Sequence, residues 1–174
     1  MLTGSVSRGV ADDVSDIEML VVTREPLELE ACFGLARAAG LEGLDTWGAQ
    51  VGPARRVSGY REGVPIELIW WPRDYAEARI DALFAGEVSS TADALVHGVP
   101  LRTSGLLEAW QERLREYPPE LAAAQIEEAL TEPDLRRALW IMTELQLETV
   151  LLAPSGPNVD RARTWLAEAA EVLR

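Results

Sequence analysis

The chain has no lysine. Its 16 basic residues are all arginine, set against 29 Asp and Glu, which gives a formal net charge of −13 at pH 7. A chain this acidic lacks the cationic face with which a sequence-blind nucleic-acid binder displaces counterions, so no nucleic acid is expected as a partner. Cysteine is nearly absent too: Cys32 is the only one, so no intrachain disulfide can form. His97 is the only histidine, which excludes a His cluster for structural zinc and leaves no convincing Ser-His-Asp triad. No apolar run reaches the ~18 residues of a spanning helix and nothing resembles a signal peptide, so no membrane partner is expected and a cytoplasmic location is the default. Repeats and low-complexity tracts are also lacking. What is present is 48% hydrophobic and 26% charged residues over 174 positions, the mix of a soluble globular protein. At ~150 residues per domain that is one domain, or a small domain with an appendage.

The apolar pattern predicts two parts. Ile17 to Thr23 is a short β-branched run ended by Pro26, and it reads as a buried strand. Leu27 to Ala39 has helix spacing with Gly40 as a stop. Arg56 to Arg61 and Val64 to Trp71 read as a hairpin joined at Glu62-Gly63. Arg73 to Phe84 is helical, Thr46 to Val51 is ambiguous, and Leu95 to Leu101 is a short apolar piece. The character then changes. Ser104 is the expected N-cap of a helix, Pro118-Pro119 breaks it, and Pro119 opens another running to Leu130. A further helix is expected from Pro133 or Asp134 to about Leu152, then a turn at 154–157 and a last helix to Leu173. The expected class is therefore α+β: a mixed α/β domain over residues 1–101 and a C-terminal helical domain over 104–174.

The most informative stretch is Gly4-Ser5-Val6-Ser7-Arg8-Gly9, followed by Ser15-Asp16-Ile17-Glu18. A Gly-Ser turn lets an anion approach the backbone closely, where N–H groups and the Ser hydroxyl can cradle phosphate. Asp16 and Glu18 stand two apart at the start of a strand, so period two places both carboxylates on one face with Ile17 on the other. Paired carboxylates beside a phosphate cradle suit Mg²⁺, which takes oxygen ligands and keeps substrate phosphate among them. Glu67, between Ile66 and Leu68, supplies a third acid. A carboxylate inside an apolar strand is costly unless it is paired or metal-bound. Each element alone is weak: Asp-x-Glu means little among 29 acidic residues. The order of all of them together carries the signal.

That order resembles the DNA polymerase β-type nucleotidyltransferase superfamily, and within it the small bacterial stand-alone members, with aminoglycoside adenylyltransferases as distant relatives. The likeness rests on Gly4-Ser5, Arg8-Gly9, Ser15, Asp16-Ile17-Glu18, Glu67 and Tyr117-Pro118, and it spans about residues 1–152. It implies a mixed sheet with flanking helices, followed by a helical bundle. It implies transfer of a nucleoside monophosphate, AMP by expectation, from a triphosphate (ATP) to the hydroxyl of a small acceptor. Asp16, Glu18 and Glu67 would hold two Mg²⁺ ions, and Glu67 would also draw the acceptor's proton. Gly4, Ser5 and Arg8 would hold the phosphates, with Arg55, Arg56, Arg61 and Arg73 as further candidates. The acidity mildly favours a cationic acceptor, and a homodimer is compatible with all of this. Two departures stand out. Glu18 is one methylene longer than Asp. Family members carry a helix and a complete strand before Gly-Ser, where only Met1-Leu2-Thr3 stand here, so the expectation is an upstream start, a decayed copy or a covering partner. The alternative function is a catalytically impaired nucleotide-binding or protein-interaction module of the same fold, such as a remnant or an antitoxin-like protein.

The remaining distinctive residues have plainer readings. Cys32 lies on the apolar face of its helix and is expected to pack in the core. His97 is expected to be structural or exposed. Trp70 and Trp71 place one ring on the core side and one on the Glu67 side, where Trp71 packs or stacks on a base or sugar. Trp47 is similar, whereas Trp110, Trp140 and Trp165 fall on apolar helical faces. Glu108, Glu112, Glu116, Glu127, Glu128, Glu144 and Glu148 form a solvated face or line a cleft.

Overall fold

The computed structural model describes residues 1–9, 11–13, 15–46, 52–87, 91–102 and 104–131. The two helices expected after residue 132, the turn between them, Trp47, Trp140, Trp165, Glu144 and Glu148 lie outside the described residues.

The elements run β1 (Leu2–Thr3), α1 (Gly4–Arg8), β2 (Ile17–Thr23), α2 (Leu29–Ala38), β3 (Glu42–Asp45), β4 (Arg55–Arg61), β5 (Val64–Pro72), α3 (Arg73–Phe84), α4 (Thr91–Val96), α5 (Leu106–Arg115) and α6 (Pro119–Thr131). The strands form one sheet in the order β1-β2-β5-β4-β3. β2 and β5 are parallel, and the other neighbours are antiparallel. The architecture is α+β with a mixed five-stranded sheet and several helices.

The hairpin forms where the turn chemistry puts it. Glu62 and Gly63 both take positive φ, 54° and 81°, as a two-residue type I′ turn requires. This pairs Arg61 with Val64 and fixes the register of β4 on β5. The expected helix over Arg73–Phe84 forms with those limits. α2 begins at Leu29 rather than Leu27, because Glu28 is extended and Leu27 packs on the core from ahead of the helix. β3 was not expected: Glu42, Gly43 and Asp45 are exposed and Leu44 alone turns inward, so this edge strand shows no apolar alternation. Ser104 does not cap α5, which starts two residues later, after Gly105 at φ 84°. In the 95–101 piece, Val99 exchanges two backbone hydrogen bonds of 2.9 Å with Leu2 and so lies beside β1.

Period two sorts the strands into two faces. α2 lies on one of them, where Cys32 and Ala36 pack with Leu41, Val57, Ile66, Leu68 and Trp70, ringed by Ile17, Met19, Phe33 and Leu44. Burial pushes the Cys32 thiol up, as expected of a core cysteine. The alternate residues, including Glu18, Leu20, Arg56, Ser58, Glu67 and Trp71, belong to the opposite face.

The chain divides into two compact units. The first comprises Met1–Arg79 and His97–Leu107 and holds the whole sheet; the second comprises Ile80–Val96 and Glu108–Arg174. Within the second, Phe84 and Tyr117 meet edge to face at 5.5 Å, and the Arg113 guanidinium lies over the Phe84 ring at 4.9 Å while reaching Asp81 at 2.7 Å. The Gln111 side chain donates to the Leu95 and Val96 carbonyls at the end of α4. Trp110 is buried as its helical spacing indicated, and Tyr117 is a packing residue. Glu108, Glu112, Glu116 and Glu127 are exposed.

Candidate active site

Backbone pairing assembles the site. Thr3 on β1 stands opposite Glu18 on β2, Glu18 opposite Glu67 on β5, and Glu67 opposite Ser58 on β4. Residues in register on neighbouring strands share a face, so Thr3, Glu18, Glu67 and Ser58 form one row across four strands. Asp16 lies just ahead of β2 and is close enough to act electrostatically on both Glu18 and Glu67. Glu67, distant in the sequence from Asp16 and Glu18, is thus brought beside them in one unit.

The row is buried. Glu67 is 2% exposed and Thr3 3%, the only buried polar side chains among the described residues. Burial pushes the Glu67 carboxyl up to about 7. The neighbouring Arg56 guanidinium pulls the other way, whereas Glu18, Asp16 and a hydrogen bond between the Glu67 and Glu18 side chains add to the rise. Glu18 is raised as well, first by burial and then by Asp16, with Arg56, Glu67 and Arg8 opposing. Arg56 on β4 brings its Nε to 3.4 Å from Glu67 Oε1, an oxygen with no hydrogen-bond partner. Ser58 Oγ, next to Glu67 on β4, is likewise buried without one.

Gly4 owes its identity to Glu18. A Cβ built on Gly4 would fall 1.6 Å from Glu18 Oε2 and 2.7 Å from its Cδ, and Gly4 also sits at φ 69°. The Glu18 carboxyl is therefore held against the bare Cα that opens α1. The Gly-Ser pair starts a five-residue helix: Ser7 Oγ donates to the Gly4 carbonyl at 2.9 Å, and Gly9 at φ 72° closes it. Thr3, at the N-cap, makes no side-chain cap hydrogen bond. Ser5 and Arg8 are half-buried on α1. Ser15 Oγ donates to Asp12 Oδ1 at 2.7 Å and tightens the loop that leads into Asp16.

The other arginines separate clearly. Arg55 and Arg61 belong to the α2 face of β4, and Arg73 pairs with Glu77 at 2.9 Å along α3. Trp71 lies on the Glu67 face and packs edge to face on Tyr75 at 5.8 Å. His97 is half-buried just past α4. Thr3 and Ser58 were not singled out from sequence. Ser58 was within reach, because counting back from the two-residue turn sets it opposite Glu67. Thr3 had no such signal, since a two-residue strand has no pattern.

Among the described residues no three Asp, Glu, His or Cys side chains stand ready as a ligand set for a metal ion. The carboxylates are instead engaged with each other and with Arg56. Their chemistry nevertheless fits a hard divalent cation. All are carboxylate oxygens, one buried oxygen and one buried hydroxyl lack hydrogen-bond partners, and Gly4 leaves room for the Glu18 carboxyl. No protein-family model matches the chain, and no curated protein matches it.

Proposed function

We propose that the protein is a metal-dependent nucleotidyltransferase that moves a nucleoside monophosphate, AMP foremost, from a nucleoside triphosphate to a hydroxyl of a small acceptor. The observation that carries this reading is a carboxylate pair: Glu67, 2% exposed, lies in register with Glu18, whose carboxyl occupies the space left by Gly4. The motif resemblance, which rests on the same residues, agrees with it.

In this reading Asp16, Glu18 and Glu67 would hold two Mg²⁺ ions, which would supply neutralisation of charge on the phosphates and on the leaving group. Gly4, Ser5 and Arg8 hold the outer phosphates of the triphosphate. The acceptor O–H would give its proton to the ionised Glu67 carboxylate. The acceptor oxygen then bonds the α-phosphorus, the bond from that phosphorus to the oxygen bridging to the β-phosphate breaks, and pyrophosphate departs.

The test is calorimetry with Mg²⁺ and each nucleoside triphosphate, followed by a screen of hydroxyl-bearing acceptors for pyrophosphate release. Mg·ATP binding that is lost in Asp16→Ala and Glu67→Ala supports the reading. Absence of Mg·NTP binding in the wild-type chain sinks it. Binding without turnover on any acceptor would instead favour a nucleotide-binding module of the same fold.

A further inference from the structure

Arg56 lies against the buried carboxylate of the row. Its Nε is 3.4 Å from Glu67 Oε1, the buried oxygen that no hydrogen bond satisfies, and it acts electrostatically on Glu18 as well. A guanidinium and a divalent ion sharing one buried carboxylate oxygen would stand within about 5 Å, where two positive charges repel strongly in a poorly solvated site. Arg56 has somewhere else to go, because its side chain is 37% exposed while Glu67 is 2% exposed. It also follows in alternation on the strand that carries Ser58, so its stem stays on the site face.

We propose that Arg56 is an internal counter-cation that competes with the divalent ion for Glu67: it occupies the carboxylate when metal is absent and must swing away when metal enters. This inference rests on the metal-binding role given to Glu67 above. It explains why the carboxylates gather in one row without forming a ready ligand set. Charge balance, rather than ligand geometry, then sets the metal affinity of the free protein, and the freed guanidinium becomes available to an anion that arrives with the metal.

The test is Mn²⁺ binding to the full chain at fixed pH, read as loss of the free-ion electron paramagnetic resonance signal. Arg56→Gln should bind Mn²⁺ about tenfold more tightly than wild type, because the competitor is gone. Arg56→Lys keeps the charge and should stay near wild type. Arg61→Gln makes the same change in net charge on the opposite face of the strand and should move affinity by less than about twofold. Should Arg56→Gln not fold, the wild-type chain still answers. The Arg56 Nε–H resonance, assigned as the one absent from Arg56→Lys, should shift on saturation with Mg²⁺. Wild-type binding with no gain in Arg56→Gln, or an unmoved Nε–H resonance at saturation, overturns the competition alone. No Mn²⁺ binding by any of these proteins overturns the metal site itself, and the competition with it.

Discussion

Alternate residues of the same strands build two faces of opposite chemistry. On the α2 face Ile66, Leu68 and Trp70 of β5 pack with Val57, Cys32 and Ala36 in an apolar cluster. One residue over, Glu67 is buried as deeply as Leu68, yet its neighbours are Glu18, Ser58 and Arg56. Depth is therefore equal and purpose is not. The first face gains from burial, at roughly 1.5–3 kcal/mol per large aliphatic side chain. The second spends burial on a carboxylate that would ionise more easily in water. A sheet that accepts this cost at one position in β5 is organised around that position.

Five experiments test the contrast, from the largest effect to the smallest. Glu67→Gln and Asp16→Asn should lower pyrophosphate release by ~10²–10⁴-fold, the range expected for removing a proton acceptor or a charge at a reacting centre, with far-ultraviolet circular dichroism unchanged. Leu68→Ala on the other face should do the reverse. It should lower unfolding stability by about 2–5 kcal/mol in urea and leave the rate per folded molecule near wild type.

The third experiment concerns pH. Glu67 holds its proton more tightly folded than unfolded, so the folded state binds more protons between the ordinary carboxyl value of 4.5 and about 7. Stability of the metal-free protein should then be fully present below that window and fall as pH rises through it, by on the order of 2–3 kcal/mol for this group. Glu18 shifts in the same direction. The difference in urea midpoint between wild type and Glu67→Gln, followed from about pH 4 to about pH 8, isolates the effect. A difference that does not change across that range would mean that Glu67 is not held protonated.

Gly4→Ala should cost about 1–3 kcal/mol, from left-handed backbone strain together with displacement of the Glu18 carboxyl. In a Glu18→Ala background only the backbone part remains, so a double-mutant cycle should return a clear coupling between the two positions. At the bottom of the scale, Arg37→Ala removes an exposed pair with Glu30 on α2 and should move stability by less than about 0.5 kcal/mol.

Much of this was legible in the sequence, and the reasons are specific. β2, the β4–β5 hairpin and α3 carry strong apolar periodicity or turn chemistry, and they form within a residue of where that pattern puts them. The carboxylate trio was legible as a set, and the register of β2 on β5 brings it together. β3 was illegible because an exposed edge strand has no buried stripe to show. The role of Val99 beside Leu2 was illegible for a different cause: the contact is made wholly by backbone groups, which leave no mark on side-chain pattern. Arg56 could be named among several arginines, but only the hairpin register separates it from Arg55, one position away and on the other face.

The tie between Leu2 and Val99 bears on the order in which the protein takes shape. Made from its amino end, the chain presents Gly4 and Glu18 early, but Glu18 has no partner until β5 brings Glu67. β1 is not held on both sides until Val99 has followed it. Both pairings span many residues, and such contacts close slowly because loop entropy must be lost before they form. Vectorial synthesis thus sets the α4–α5 connection as the latch: the opening of α1 is fixed in place only after Val99 has been made.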